Sequence, residues 1–356
     1  MDGYERLAGL SVTIDACNLE GLRKVVSRGF ERQTTVVRLI GDGLDGVGED
    51  VTYEAVDQLA FQHQPPPEEL TGRFNLAEFS AVLSQVRLFP DRPQSEGSEH
   101  YRRWAFESAA LDLALRQAGR SLAEVLGLEP RPVRFVVSPR LGRPPSFDPI
   151  LTWLEHDADL RFKLDATSAW KPELVRRLAA TGAVETIDFK GAYKGTPVDQ
   201  PFDELLYRRV IEAFPVAWIE DPVFSAISEP LLVNCLERIS WDAPIHSVED
   251  ILALPFPPRG LNVKPSRTGS LENLINVYEH CARHAIRMYG GGQFELGPGR
   301  EQIQYLAALF HPDAPNDVAP VAYHDGAPRP ALPPSPLPPR ISDTGFRLSG
   351  APASME

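Results

Sequence analysis

The sequence predicts an α/β chain in which a (β/α)8-type barrel follows an α+β unit. Two observations lead there. From Arg131 onward, short apolar runs alternate with amphipathic segments eight times over, the pattern of repeated strand-helix units. Five consecutive runs in the middle of that region end in a charged residue where the apolar strand stops.

Residues 9–18 and 34–41 are β-branched runs with partial alternation, and turn-rich chain from Gly41 to Gly48 follows the second. They read as an antiparallel sheet. Helical patterns come next at about 53–63 and 75–87, broken by Pro65-Pro66-Pro67, and a stronger one spans Arg102 to Ala118. In it Trp104, Ala105, Ser108, Leu111, Leu115 and Ala118 recur at three- and four-residue steps, and Gly119 supplies the stop. The first 130 residues are therefore an α+β unit.

The candidate barrel strands are 133–138, 160–165, 184–189, 216–221, 239–242, 260–265, 285–289 and 318–323, with helical intervals such as 172–181, 202–213 and 271–283 between them. A doubly wound open sheet is the other architecture with this alternation, but no GxGxxG follows the first strand, so its dinucleotide-binding version has no support. The Pro-rich segment from Ala327 to Arg340 reads as an extended strap or linker.

The five charged strand ends are Phe162-Lys163-Leu164-Asp165, Ile187-Asp188-Phe189-Lys190, Ile219-Glu220-Asp221, Trp241-Asp242 and Val263-Lys264. In a closed barrel every strand is central, so an inward ammonium needs a carboxylate, and carboxylates on adjacent strands need a cation. Asp188, Glu220 and Asp242 come one each from three consecutive strands, at intervals of 32 and 22 residues. Hard oxygen ligands without His or Cys suit Mg2+, with Mn2+ close behind, and argue against zinc. Alternation along a strand gives Lys163 and Asp165 one face and Asp188 and Lys190 another, and it places Asn262 behind Lys264, facing inward. Asp221-Pro222 reads as a helix start, with Asp as N-cap and Pro at the first helical position.

Composition narrows the partners. At 356 residues and 43% hydrophobic content, the chain can build a large barrel plus a smaller domain. A net charge of -13 excludes nonspecific binding to nucleic acid or to an anionic membrane surface. Cys17, Cys235 and Cys281 are widely spaced and contain no CxxC, so neither a disulfide framework nor a zinc knuckle is expected. The N-terminus lacks the layout of a signal peptide and no run approaches a membrane span, which makes a cytoplasmic protein the expectation.

Several motifs carry a resemblance. Arg103-Trp104-Ala105-Phe106-Glu107-Ser108-Ala109-Ala110-Leu111-Asp112-Leu113-Ala114, Ser240-Trp241-Asp242-Ala243-Pro244-Ile245-His246-Ser247, Asn262-Val263-Lys264-Pro265-Ser266-Arg267-Thr268-Gly269 and Gly290-Gly291-Gly292-Gln293-Phe294-Glu295-Leu296-Gly297 stand in order along nearly the whole chain. Together they resemble the enolase superfamily, most closely its muconate lactonizing enzyme and o-succinylbenzoate synthase branch, as a divergent member. The resemblance implies a modified TIM barrel, (β/α)7β, with an N-terminal α+β capping domain. The cap is expected at 1–130, the barrel at 131–326, and the tail 327–356 packed back on the cap. It also implies Mg2+ on Asp188, Glu220 and Asp242, and removal of a proton α to a carboxylate through a metal-stabilised enediolate.

Lysine in water titrates near about 10.4, so a lysine base must be held partly neutral by burial and neighbouring cations. Lys264 is the expected base, and Lys163 fits substrate-carboxylate or electrostatic duty. The departure is Asp165, which stands where the family's Lys-x-Lys pair has its second lysine. One-base elimination or dehydration, a lyase reaction, is therefore the first expectation. A racemase, epimerase or cycloisomerase would need Asp165 or Lys190 in the second acid/base role, and a relative that binds metal and acid without turnover is the third possibility. An alternative alignment matches Lys163-Leu164-Asp165-Ala166-Thr167-Ser168-Ala169-Trp170 to the third-strand motif, which makes Asp165 the first metal ligand and leaves Asp188 without a role. Ala243 departs as well, standing where the family commonly has Glu.

Arg28, in the Arg28-Gly29-Phe30-Glu31-Arg32 loop, and Gly48-Glu49-Asp50 are expected in lid loops over the barrel mouth. Arg28, Asn262, Gly291 and Glu295 are the candidate substrate contacts, while His246 and His324 read as packed histidines near strand ends. The expected partners are a small-molecule carboxylate substrate and, in an assembly, further copies of the chain as a homo-oligomer.

Overall fold

The computed structural model describes residues 3–27, 30–196 and 198–349. The N-terminal part holds two antiparallel sheets: β1 (Ser11–Ile14) pairs with β5 (Gly72–Asn75), and β2 (Ala16–Ser27), β3 (Phe30–Gly41) and β4 (Leu44–Asp50) form a meander. The turn-rich stretch is mostly strand. Only Asp42 and Gly43, at φ 51° and 74°, make the β3–β4 turn, a two-residue hairpin loop of the kind that needs positive φ at both positions. Gly46 and Gly48 belong to β4, where a Cβ would collide with the carbonyl oxygens of Ala109 and Ala105 in the helix Gly97–Gln117. Glycine there lets the helix lie directly on the sheet. Trp104, Ala105, Ser108, Leu111 and Leu115 are all buried. At its N-terminal end Arg102 pairs with Asp50 at 2.8 Å, both fully buried, with the guanidinium over the rings of Phe61 and Phe89.

The second part is a parallel sheet in sequence order: β6 (Phe162–Asp165), β7 (Val184–Asp188), β8 (Trp218–Glu220), β9 (Ile239–Trp241), β10 (Gly260–Val263) and β11 (Arg287–Gly290). Helices such as Pro172–Ala180, Glu204–Ala213 and Leu271–Arg283 alternate with the strands. Closure uses two shorter segments. Val137 bridges Phe162, Phe135 bridges Asn316, and Gly291 bridges Asp317, all parallel. The expected first strand, 133–138, is thus reduced to isolated bridges. The expected last strand, 318–323, is displaced: the closing bridges fall at Asn316 and Asp317, and Val321–His324 is a 3-10 turn.

Asn316 explains why so little ladder suffices. Its Oδ1 accepts from Gly290 N and lies 2.6 Å from His311 Nδ1, while its Nδ2 donates to the carbonyls of Arg134 and His311 at 2.9 Å. One buried side chain thereby supplies the hydrogen bonds that two strands would otherwise exchange. His311 must donate its Nδ1 proton to an amide oxygen. Burial pushes its pKa down to about 4, with the bond to Asn316 working the other way.

The tail returns to the body of the protein. Leu337 bridges Val133, Gly345 bridges Ser121, and Phe346 N and Arg347 Nε donate to the buried Asp112 carboxylate at 2.8 Å and 2.7 Å. Among the described residues no helix is long and apolar enough to cross a membrane.

A pH dependence follows from His311. Its folded pKa, about 4, lies below the ordinary 6.5, so on acidification the unfolded chain takes up the proton first. The stability His311 contributes is present above pH 6.5 and is lost as pH falls toward 4. Urea unfolding across that window should show a His311→Gln protein losing about 2–3 kcal/mol less stability than the wild type; parallel profiles would refute the neutral buried histidine.

Candidate active site

Asp188 ends β7, Glu220 ends β8 and faces Asp188 in register, and Asp242 directly follows β9. One carboxylate oxygen from each lies within 4.8 Å of the others, and all three residues are buried. Each carboxylate has its own ammonium. Lys163 Nζ is 2.5 Å from Glu220 Oε1, Lys264 Nζ is 2.7 Å from Asp242 Oδ2, and Lys190 Nζ contacts Asp188 Oδ2. Lys163 also stands 3.8 Å from Asp188 and 3.7 Å from Asp317.

Crowding sets the electrostatics. Burial pushes Glu220 up to about 8, with the charges of Asp188 and Asp242 adding to it against Lys163. Asp242 is also penalised by burial, yet Arg267 and then Lys264 hold it well below the carboxylate range. Asp188 is lowered in the same way by Lys190 and Lys163. For Lys163 and Lys190 burial favours the neutral amine, but Glu220 and Asp188 for the former, and Asp165 and Asp188 for the latter, outweigh it and raise both. A buried, all-oxygen donor set with converging carboxylates fits Mg2+.

Further groups support the cluster. Asp221, at φ 44°, accepts from the backbone N–H of Asp242 and of Ala243, each at 2.9 Å. The expected helix cap at Asp221-Pro222 is therefore corrected: the next helix is Glu229–Leu232, and Asp221 braces the neighbouring strand end instead. Arg267 Nε donates to Asp242 Oδ1 at 3.1 Å, and Tyr193 Oη donates to Oδ2 at 3.1 Å while accepting from Arg267 Nη2 at 2.7 Å. Tyr289 Oη donates to Glu220 Oε2 at 2.5 Å. Sequence reasoning missed Arg267, Tyr193 and Tyr289. Only Tyr289 left a signal, since it pairs in register with Asn262, which alternation had already turned inward.

Asn262 faces the cluster as expected, with Nδ2 3.4 Å from both Glu220 oxygens. Asp165 does not join it. Its side chain is 61% exposed and lies 3.4 Å from Lys190 Nζ, so the alignment that made Asp165 a metal ligand fails on geometry. A Cβ at Gly291 would come within 2.5 Å of Asn262 Oδ1 and 2.7 Å of Lys264 Cε; its smallness makes room for the lysine. Glu295 is inward and buried, as read from the sequence, with Arg300 at 2.9 Å and its Oε1 accepting from Gln293 N at 2.6 Å. Gly48-Glu49-Asp50 is no lid loop. It lies in β4, and Glu49 accepts from the N–H groups of Leu296, Gly297 and Gly299, tying cap to barrel. Arg28 lies outside the described residues. The β2–β3 hairpin does lean on the barrel mouth, through Lys24 and Asp325 at 2.9 Å and Arg140 over the Phe30 ring. His246 Nδ1 meets the Arg267 carbonyl at 2.9 Å, and His324 stacks on Phe294.

Two family profiles match this chain: "Domain of unknown function (DUF8230) N-terminal domain" over residues 5–125 and "Domain of unknown function (DUF8230) C-terminal domain" over 129–325. Among curated proteins, an o-succinylbenzoate synthase of Geobacillus kaustophilus is 26% identical over 296 residues, covering 78% of this chain and 74% of the relative. An N-succinylamino acid racemase of Amycolatopsis sp is 28% identical over 300 residues, 81% of this chain and 79% of the relative. Among solved structures, a dipeptide epimerase from Enterococcus faecalis V583 superposes with a TM-score of 0.68 at 14% identity, covering 94% of this chain and 99% of the other. The muconate lactonizing enzyme from Pseudomonas putida gives 0.61 at 19%, covering 86% and 88%. These structural likenesses establish the shared fold.

If the triad holds Mg2+, adding MgCl2 should raise the melting temperature, since a ligand that binds only the folded state stabilises by about 2.7 kcal/mol at a hundred times its dissociation constant. Calorimetry should show this rise in the wild type and none in Glu220→Gln. An equal rise in both would place the ion elsewhere.

Proposed function

The chain belongs to the DUF8230 family and to the enolase superfamily, and on that premise we propose that it is a lyase that removes the proton α to a carboxylate of a small acid, with Lys264 as base. One observation carries this reading: Lys264, buried, has its Nζ 2.7 Å from Asp242 Oδ2 at the edge of the three-carboxylate cluster. In this reading residues 1–130 form the cap and 131–326 the catalytic barrel. The bonds of Phe346 and Arg347 to Asp112 support counting the tail with the cap.

A divalent cation on Asp188, Glu220 and Asp242 would supply the positive charge that the substrate carboxylate needs as its α-proton leaves. Lys264 Nζ takes the proton as the neutral amine, the form favoured once Asp242 no longer has to be balanced by an ammonium. Lys163 and Lys190, ammonium groups beside Glu220 and Asp188, complete a positive field already in place before substrate arrives. Elimination ends when the electron pair left at the α-carbon becomes a double bond to the β-carbon and the β-substituent departs with its own pair. Gly291 keeps the approach to Lys264 open.

A second reading, proton removal from one face and return to the other, is favoured by Lys190. It lies just past the end of β7, while Lys264 follows β10, with Asp165 at 3.4 Å as its outer partner. A racemase or epimerase would use Lys190 where the family's second lysine is replaced by Asp165.

Incubating N-acyl amino acids, dipeptides and acid sugars with the protein and MgCl2 in deuterium oxide should separate the readings by NMR. Elimination predicts loss of a β-substituent, and Lys264→Ala should lower turnover by about 100- to 10,000-fold; full turnover by that variant would sink the assignment. Deuterium appearing at an inverted α-carbon, and vanishing in Lys190→Ala, would replace elimination with the two-base reaction. No exchange across the library would favour a relative that binds acids without turning them over.

A further inference from the structure

The middle carboxylate of the cluster is held by a hydroxyl with no other use. Tyr289 belongs to β11, is 1% exposed, and reaches across the barrel interior to β8. There its Oη donates to Glu220 Oε2 at 2.5 Å, while Ser240 Oγ of β9 lies 2.7 Å from the same phenol oxygen. Counting donors gives the chain a direction. Beside the Lys163 ammonium, and as a cation ligand, Glu220 is the ionised carboxylate, which only accepts, so the single phenol proton goes to Glu220 and Ser240 donates to the phenol oxygen. The ring packs beside Trp218, with centroids 6.2 Å apart, a contact phenylalanine would make equally well. Packing therefore explains the ring and leaves the hydroxyl unexplained, although burying a hydroxyl is costly unless it finds partners.

Glu220 is pulled from both sides. Lys163 Nζ holds Oε1 at 2.5 Å, and this charge-assisted contact alone would draw the carboxylate toward the ammonium. The phenol on Oε2 opposes that tilt. Asn262 Nδ2 lies 3.4 Å from both oxygens, a long contact shared between them; of the about four acceptor directions of a carboxylate, the short contacts of Lys163 and the phenol take one on each oxygen, which leaves room for a cation between Glu220, Asp188 and Asp242.

We propose that Tyr289, steadied by Ser240, is a positioning residue for the cation site: it fixes the rotation of the Glu220 carboxylate so that its free lone pairs converge with those of Asp188 and Asp242. This rests on reading the cluster as a cation site. Losing a hydrogen-bond partner of a metal ligand typically costs about 10- to 100-fold in metal affinity.

Titration of MnCl2 and MgCl2 into the purified full chain, followed by calorimetry, tests this with no turnover assay. Tyr289→Phe should raise the Mn2+ dissociation constant by about 10- to 100-fold. Ser240→Ala should raise it by a smaller factor, and the double variant should bind no worse than Tyr289→Phe alone, because Ser240 acts through the phenol. A residue that merely fills the barrel would, when changed, lower the melting temperature of the metal-free protein and leave the dissociation constant as it was; that outcome overturns the proposal. Should Tyr289→Phe not fold, Ser240→Ala decides, an unchanged dissociation constant being the refutation. A wild type that binds neither cation strikes the cation-site reading itself, and this inference with it. A wild type that binds while Tyr289→Phe binds equally overturns this inference alone.

Discussion

Three carboxylates whose oxygens lie within 4.8 Å of one another, buried at the end of a closed barrel, are the constraint from which the rest of the interior follows. Like charges so close in a low-dielectric setting cannot all stay ionised without compensation. The barrel answers with one ammonium per carboxylate, Lys163, Lys190 and Lys264, and with Arg267 on the second oxygen of Asp242. Burial, joined by the charges of Asp188 and Asp242, pushes Glu220 upward against the pull of Lys163. Positive groups already fixed around a converging acid cluster need no reorganisation when charge develops beside them.

Holding such a cluster demands a rigid frame, and the frame is closed with little material. Six strands carry continuous ladders, while the seam between β11 and the first segment rests on single bridges at Asn316 and Asp317 and on the side chain of Asn316. The cap is fastened by buried charge. Glu49 accepts three N–H groups of the 296–299 turn, and Asp112 is shared by Val47 of β4 and by Phe346 and Arg347 of the tail. The β2–β3 hairpin adds contacts of its own through Lys24 and Phe30.

Much of the site was legible because charge at the end of an apolar strand has few structural uses. Asp188, Glu220, Asp242, Lys163 and Lys264 stood out on that ground, and Asn262 followed from alternation. What could not be read were residues whose role depends on a partner from another strand. Asp221 looks like a helix cap until β9 is laid beside it, when its carboxylate proves to hold two backbone N–H groups there. Glu295 is the inward acid the sequence suggests, but its partner Arg300, from the following helix, shows only in the fold. Glycines misled in the same way: Gly46 and Gly48 signal a turn locally, and only the helix Gly97–Gln117 lying against them shows that they clear space on a strand.

By itself the sequence determined the order of the strands, the α+β unit before them, and which strand ends carry acids and lysines, because those follow from periodicity and from the cost of charge in an apolar run. Only the tertiary structure decided which lysine serves which acid, that Lys190 and not Asp165 touches the cluster, and that Tyr289 and Arg267 complete it. The physical reason is reach. Hydrogen bonds and ion pairs act over a few ångströms, and residues tens of positions apart come within that range only when the barrel closes.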